Sequence, residues 1–141
     1  MTQSETFLDG GCACGAVRYR VRGTPVYAGM CHCDDCRRAT GGAYVPWFGA
    51  TPDNVSVSKG EMAEFSSPAG VRRGFCGTCG SSLTFSGGGY SLVSLTIASL
   101  DDPNRLTPVN SVFEKEKLHW VTPDDGMRHF DEFPMEIKGE R

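Results

Sequence analysis

The seven cysteines of the chain fall into three short groups: C-x-C at positions 12 and 14, C-x-C-x-x-C at 31, 33 and 36, and C-x-x-C at 76 and 79. Thiols at such spacings hold metal ions, because one turn or one extended segment aims neighbouring side chains at a common centre. In an extended segment Cys12 and Cys14 share a face. CGTCG around Cys76 and Cys79 has the form of a zinc knuckle, with glycines that permit the tight bend. Structural zinc takes four ligands, so the seven thiolates divide into a closed set of four and an open set of three. The simplest division gives Cys12, Cys14, Cys76 and Cys79 one ion and Cys31, Cys33 and Cys36 a second. Cys76 and Cys79 could instead join the central group, and spacing alone leaves that open.

The closed set is expected to be a structural staple. The open set has two readings. A protein ligand (His32, Asp34, Asp35, His119 or His129) could complete an inert site. Alternatively, the fourth position takes water or substrate, as in catalytic zinc. Thiolate ligands make the ion a weak Lewis acid, but one suited to holding an incoming thiol deprotonated. Arg37 and Arg38 follow the central group directly and are candidate contacts for an anionic substrate; a solvated pair at a helix end is the plainer alternative. Of Arg72 and Arg73, one is expected to be exposed and the other to pack near the metal. Trp47, Phe48 and Trp120 could line an apolar pocket, with core packing the default. No nucleophile–base pair of the Ser/His/Asp kind is readable from the spacing.

Positioning these groups falls to short strands. In AVRYRVRG, Val17, Tyr19 and Val21 alternate with Arg18, Arg20 and Arg22, the pattern of a half-buried strand. PVYAGMC, AYVPWFGA, NVSVSK, MAEFSS, VRRGFC, SLTFS and YSLVSLTIASL read as further strands between Gly and Pro turns. Pro46 predicts an edge position or a bulge. Residues 34–41, DDCRRATG, predict a helical turn that starts at an Asp and stops at Gly41. Gly87 to Gly89 reads as a hairpin loop. After Asp101 the chain turns polar and irregular, so residues 109–141 are expected as a loop-rich tail packed on the sheet, with Phe130 and Phe133 as anchors. The expected architecture is a single, mainly β, antiparallel domain over residues 1–141, with short helical turns.

The 141 residues carry a net charge of −3 and offer no long-range attraction to a polyanion, which disfavours nucleic acid as a partner. The N-terminus has no secretory pattern, and the most apolar stretch, residues 91–100, has half the length needed to span a bilayer. A cytoplasmic location without membrane association is the expectation. An odd cysteine number there points to metal rather than to a disulfide framework.

GGCACGAVRY at 10–19, CHCDDCRRATG at 31–41, RGFCGTCGSSL at 73–83 and SLTIASLDDPNRLTP at 94–108 together resemble the glutathione-dependent formaldehyde-activating enzyme and centromere protein V (GFA) family. The resemblance spans roughly residues 8 to 134. It implies a zinc-stapled antiparallel β-tent with two zinc ions per chain. Cys12, Cys14, Cys76 and Cys79 would hold the structural ion; Cys31, Cys33 and Cys36 would hold a second, labile ion beside the active site. It also implies a carbon–sulfur lyase acting on a glutathione adduct of a small aldehyde, such as S-hydroxymethylglutathione, with Arg37 or Arg38 meeting a glutathione carboxylate. The family pattern has a His-Ile pair where this chain has Ser111-Val112, and a Pro where it has His119. The alternative reading is a non-catalytic, zinc-stabilised binding module for a protein partner. Oligomeric state is not readable from the sequence.

Overall fold

The computed structural model describes residues 6–122 and 126–134. Eleven strands and one α-helix are present among them: β1 (Phe7–Gly11), β2 (Arg18–Arg22), β3 (Tyr27–Cys31), α1 (Asp34–Thr40), β4 (Val45–Ala50), β5 (Val55–Lys59), β6 (Ala63–Ser66), β7 (Val71–Phe75), β8 (Ser82–Gly87), β9 (Tyr90–Thr96), β10 (Asn110–Val112) and β11 (Arg128–His129). They form a three-stranded sheet ordered β1-β2-β5 and an eight-stranded sheet ordered β11-β10-β3-β4-β9-β8-β7-β6. The mainly β, largely antiparallel class expected from the sequence is what the chain adopts.

Strand β2 shows how the pattern becomes packing. Tyr19 and Val21 are fully buried while Arg20 and Arg22 are exposed. Arg18 and Arg20 reach back across the sheet surface to Asp101 and Asp9. A main core gathers Leu8, Tyr19, Val21, Phe48, Leu83 and Leu95, and it includes Cys12 and Cys76. Burying these six side chains at about 1.5–3 kcal/mol each stabilises the sheets against one another. A second cluster contains Cys31, Cys36, Val45, Trp47 and Val112. Each cysteine group is thus anchored in its own apolar cluster.

Three local expectations are revised. Pro46 does not mark an edge: β4 lies inside the larger sheet, between β3 and β9. Proline is tolerated because β9 pairs only with residues 47–50 of β4, while Pro46 faces Met30 of β3 alone. Strand β9 ends at Thr96, and Ile97–Ser99 tighten into a 3-10 turn. The polar stretch after Asp101 contains β10, which runs parallel to β3 and buries Ser111 completely. The predicted anchors Phe130 and Phe133 pack against the second cluster. Of the expected tail, residues 123–125 and 135–141 lie outside the described residues.

The predicted helical turn is α1. Cys33 caps it, its Sγ accepting from the Cys36 N–H at 3.3 Å, and Gly41 closes it with φ +77°. Such a left-handed closing residue is why glycine stands there. Gly87, Gly88 and Gly89 all have positive φ and turn β8 into β9.

Candidate metal centres and the cavity beside one of them

The first cysteine group is built from two loops. The loop after β1 folds back so that the Val17 N–H donates to Cys12 Sγ at 3.2 Å. The loop after β7 is the knuckle: Gly80 N–H donates to the Cys76 carbonyl at 2.8 Å, and Cys79 N–H donates to Cys76 Sγ at 3.5 Å. Gly80 needs its φ of +81° for this turn. The ligand atoms of Cys12, Cys14, Cys76 and Cys79 then all lie within 4.8 Å of one another. Cys12 Sγ and Cys14 Sγ are 3.6 Å apart, and Cys14 Sγ and Cys76 Sγ 3.8 Å. Zinc–sulfur bonds of about 2.3 Å in a tetrahedron separate their sulfurs by about 3.8 Å, so the donor set fits a four-thiolate ion. The Ser81 hydroxyl, at 3.1 Å, holds the Cys79 thiol down to about 5, ready to ligate.

The second group sits where β3 runs into α1. Cys31 ends the strand, Cys33 caps the helix and Cys36 lies in its first turn; their ligand atoms also lie within 4.8 Å of one another. Among the described residues no imidazole or carboxylate joins either group at that distance. Of the five fourth-ligand candidates, His32 points away from its neighbours: it is fully buried, and its Nε2 meets Ser111 Oγ at 2.9 Å. Asp34 is paired with Arg37 and Arg38, His129 with Glu114, and His119 is exposed. Asp35 stands at the edge of the adjoining cavity. Hydrogen bonds from Cys31 and Cys33 hold Cys36 down to about 3 against burial, with Arg73 assisting. The same contacts, together with burial, push Cys31 up, so one thiolate forms well before the rest.

Over the three cysteines opens a cavity of about 260 Å³. Its walls are chiefly aromatic and aliphatic, with Tyr27, Trp47, Phe85, Tyr90, Leu92 and Phe133 contributing. The rings brace one another: Trp47 and Phe85 have centroids 6.2 Å apart, and Tyr27 and Phe133 meet edge-on at 5.6 Å. Trp47 is therefore both core and cavity wall, Phe48 is core alone, and Trp120 lies exposed.

Arg37 and Arg38 do not line this cavity. Arg37 spends its guanidinium on the carbonyls of His32 and Glu116, which pins the cysteine turn to a later loop. Arg38 pairs with Asp34 on the surface. The cation that does reach the site is Arg73 of β7, stacked 5.0 Å over the Phe85 ring and 3.9 Å from Cys36 Sγ. It faces Phe85 directly across the strand pair, while Arg72 is exposed. Sequence singled out the Arg72–Arg73 pair, and strand alternation separates the two faces. Asn110 was missed: it lines the cavity, is 5% exposed, and its Oδ1 has no partner among the described residues. No spacing rule marks a buried asparagine on so short a strand.

Fold and sites together define a small mainly β protein with two cysteine centres able to hold metal ions. The chain belongs to the GFA family, whose description is glutathione-dependent formaldehyde-activating enzyme and whose pattern matches residues 7–116. A Halomonas elongata protein, provisionally named as a glutathione-dependent formaldehyde-activating enzyme, is 35% identical over 86 residues, which cover 54% of each chain. The chain thus spans about half the length of this curated relative. A solved structure of a Rhodobacter sphaeroides protein shares the fold, with a TM-score of 0.53 at 22% identity over 86% of this chain and 98% of that one.

Proposed function

We propose that the protein is a zinc-dependent carbon–sulfur lyase that makes and breaks the thiol adduct of a small aldehyde, S-hydroxymethylglutathione being the first adduct to test. The observation that carries this reading is the group of three cysteines, without a fourth side-chain ligand among the described residues, at the floor of a cavity. In the forward direction a thiol sulfur bonds to the aldehyde carbon, and the thiol proton ends on the former carbonyl oxygen. The reverse step breaks the same bond, and no oxidant or reductant is needed.

Cys31, Cys33 and Cys36 would hold the second ion, and Cys12, Cys14, Cys76 and Cys79 the first. When bound at the second centre, zinc supplies the positive charge that favours a deprotonated thiol and a polarised carbonyl. The remaining work falls to the chain. The aromatic walls exclude water and hold the reactants together, replacing a bimolecular encounter with a positioned one. Asn110 Oδ1, an unpartnered buried acceptor, suits the hydroxyl that the adduct carries. Arg73 supplies a fixed cation beside Cys36.

The test is exchange between formaldehyde, a thiol (glutathione first, then uncharged thiols) and their adduct, followed by carbon NMR with zinc-loaded protein. Acceleration over the spontaneous rate, abolished by Cys33→Ser, is the expected result. No acceleration with any thiol, at two zinc ions per chain, would refute the reading.

A further inference from the structure

We infer that the cavity is built for an uncharged, apolar thiol rather than for a tripeptide thiol with carboxylates. This rests on the lyase reading for the reaction and departs from the family description only in the identity of the thiol.

The argument begins with charge. Among the described lining residues the only cation is Arg73, against the carboxylates of Asp35 and Glu116. Arg73 is already engaged, with its guanidinium between the Phe85 ring and Cys36 Sγ. The two cations that follow the cysteine turn are committed elsewhere: Arg37 to backbone carbonyls and Arg38 to Asp34. Glutathione carries carboxylates at both ends. Seated here, it would bring them towards like charges, with no free cation among the described lining residues to receive them. A carboxylate buried without a partner is strongly disfavoured, because its desolvation goes uncompensated.

The walls give the complementary half. Trp47, Phe85, Phe113, Leu92, Val112 and Phe133 present rings and aliphatic groups to the cavity. A cavity of about 260 Å³ holds a body the size of a phenyl or branched alkyl group above the cysteines. The polar features that remain are few and local. Tyr27 and Ser94 satisfy each other. Asn110 lines the cavity, and its buried Oδ1 is unpartnered among the described residues. Recognition is therefore polar at the reacting atoms and apolar beyond them.

The test uses 2-phenylethanethiol, glutathione and the non-thiol control 2-phenylethanol, titrated calorimetrically into zinc-loaded protein. We expect 2-phenylethanethiol to bind at least tenfold tighter than glutathione, and both thiols to lose binding in Cys33→Ser. Asp35→Lys, at an exposed lining position, should narrow the gap by improving glutathione. Glutathione binding as tightly as 2-phenylethanethiol would overturn the inference while leaving the lyase reading intact. If 2-phenylethanol matches its thiol, the affinity belongs to the walls alone and the thiol assignment fails. Binding by neither thiol would overturn both.

Discussion

The guanidinium of Arg73 lies 3.9 Å from Sγ of Cys36, held there by stacking 5.0 Å over the Phe85 ring. The contact links β7 to the first turn of α1 and places a permanent cation against the most acidic of the three central thiols. It ties the position of the large sheet's outer strands to the electrostatics of the candidate metal centre.

Removing that cation should raise the pH at which the first thiolate forms. In metal-free protein, Arg73→Ala should move the lowest step of the ultraviolet thiolate titration upward, and Arg73→Lys should restore part of it. The shift should be partial, because hydrogen bonds from Cys31 and Cys33 are the larger cause of the low Cys36 value and remain in place. An unchanged titration would show that Arg73 serves only as packing over Phe85.

The two cysteine groups should differ in what they do for stability. Cys76 is 1% exposed and belongs to the main core, so Cys76→Ser should remove both a ligand and a packed side chain. Loss of one ligand from a closed zinc site should lower Tm sharply, since metal binding there is folding free energy. Cys33 is only half-buried at a helix cap, and a serine hydroxyl can still accept from the Cys36 N–H. Cys33→Ser should therefore retain most of the melting temperature. Equal losses in thermal scans of the two variants would contradict this division of labour.

Close packing between the sheets sets a third expectation. A Cβ at Gly10 would stand 2.4 Å from the Tyr19 hydroxyl and 2.5 Å from the backbone oxygen of Ser99. The side chain is fixed by a 2.7 Å hydrogen bond to Ser99 Oγ and the carbonyl by its strand neighbour, so neither can yield freely. Gly10→Ala should cost about 1–3 kcal/mol in denaturant unfolding. Tyr19→Phe removes the hydrogen bond alone and should cost about 1 kcal/mol. A neutral Gly10→Ala would mean that β1 and the Ser99 turn can separate without loss.

Much of this arrangement was legible because its causes are local. Alternation in RYRVR sets the faces of β2, and the short cysteine spacings set the grouping, since a turn brings thiols together wherever it sits. The start and stop of α1 follow from an N-capping side chain and a left-handed glycine. What escaped notice is set at long range. Pro46 is tolerated inside a sheet because its neighbour β9 ends its pairing one residue short. Asn110–Val112 becomes a strand through β3, with nothing in its own three residues to announce it. Ser111 is a related case: buried between strands, it receives the His32 ring, so the turn chemistry of CHC depends on a residue far along the chain. Arg73, rather than Arg37 or Arg38, reaches the cavity because strand register, and not proximity in sequence, decides which cation faces it.

The surface pair Arg18–Asp101 offers a pH test. The Arg18 guanidinium holds the Asp101 carboxyl below its ordinary value of 3.8. A carboxyl lowered on folding stabilises the protein above its unfolded value, and that contribution disappears as pH falls through the lower folded value. Wild type should therefore exceed Asp101→Asn slightly near neutrality, by no more than about 1 kcal/mol for so exposed a pair. The difference should vanish below the ordinary carboxyl range, and added salt should reduce it at neutral pH. A gap that persists in strong acid would place the Asp101 effect in packing.

The central claim is that two separate cysteine groups each hold a zinc ion. Its most direct test is the zinc content of protein purified without chelator, measured again after zinc replenishment and dialysis, alongside Cys33→Ser. The account predicts about two ions per chain, falling to about one in Cys33→Ser while the fold persists. A wild-type value fixed at about one after replenishment would contradict it, leaving the first group as a staple and the cavity without its metal.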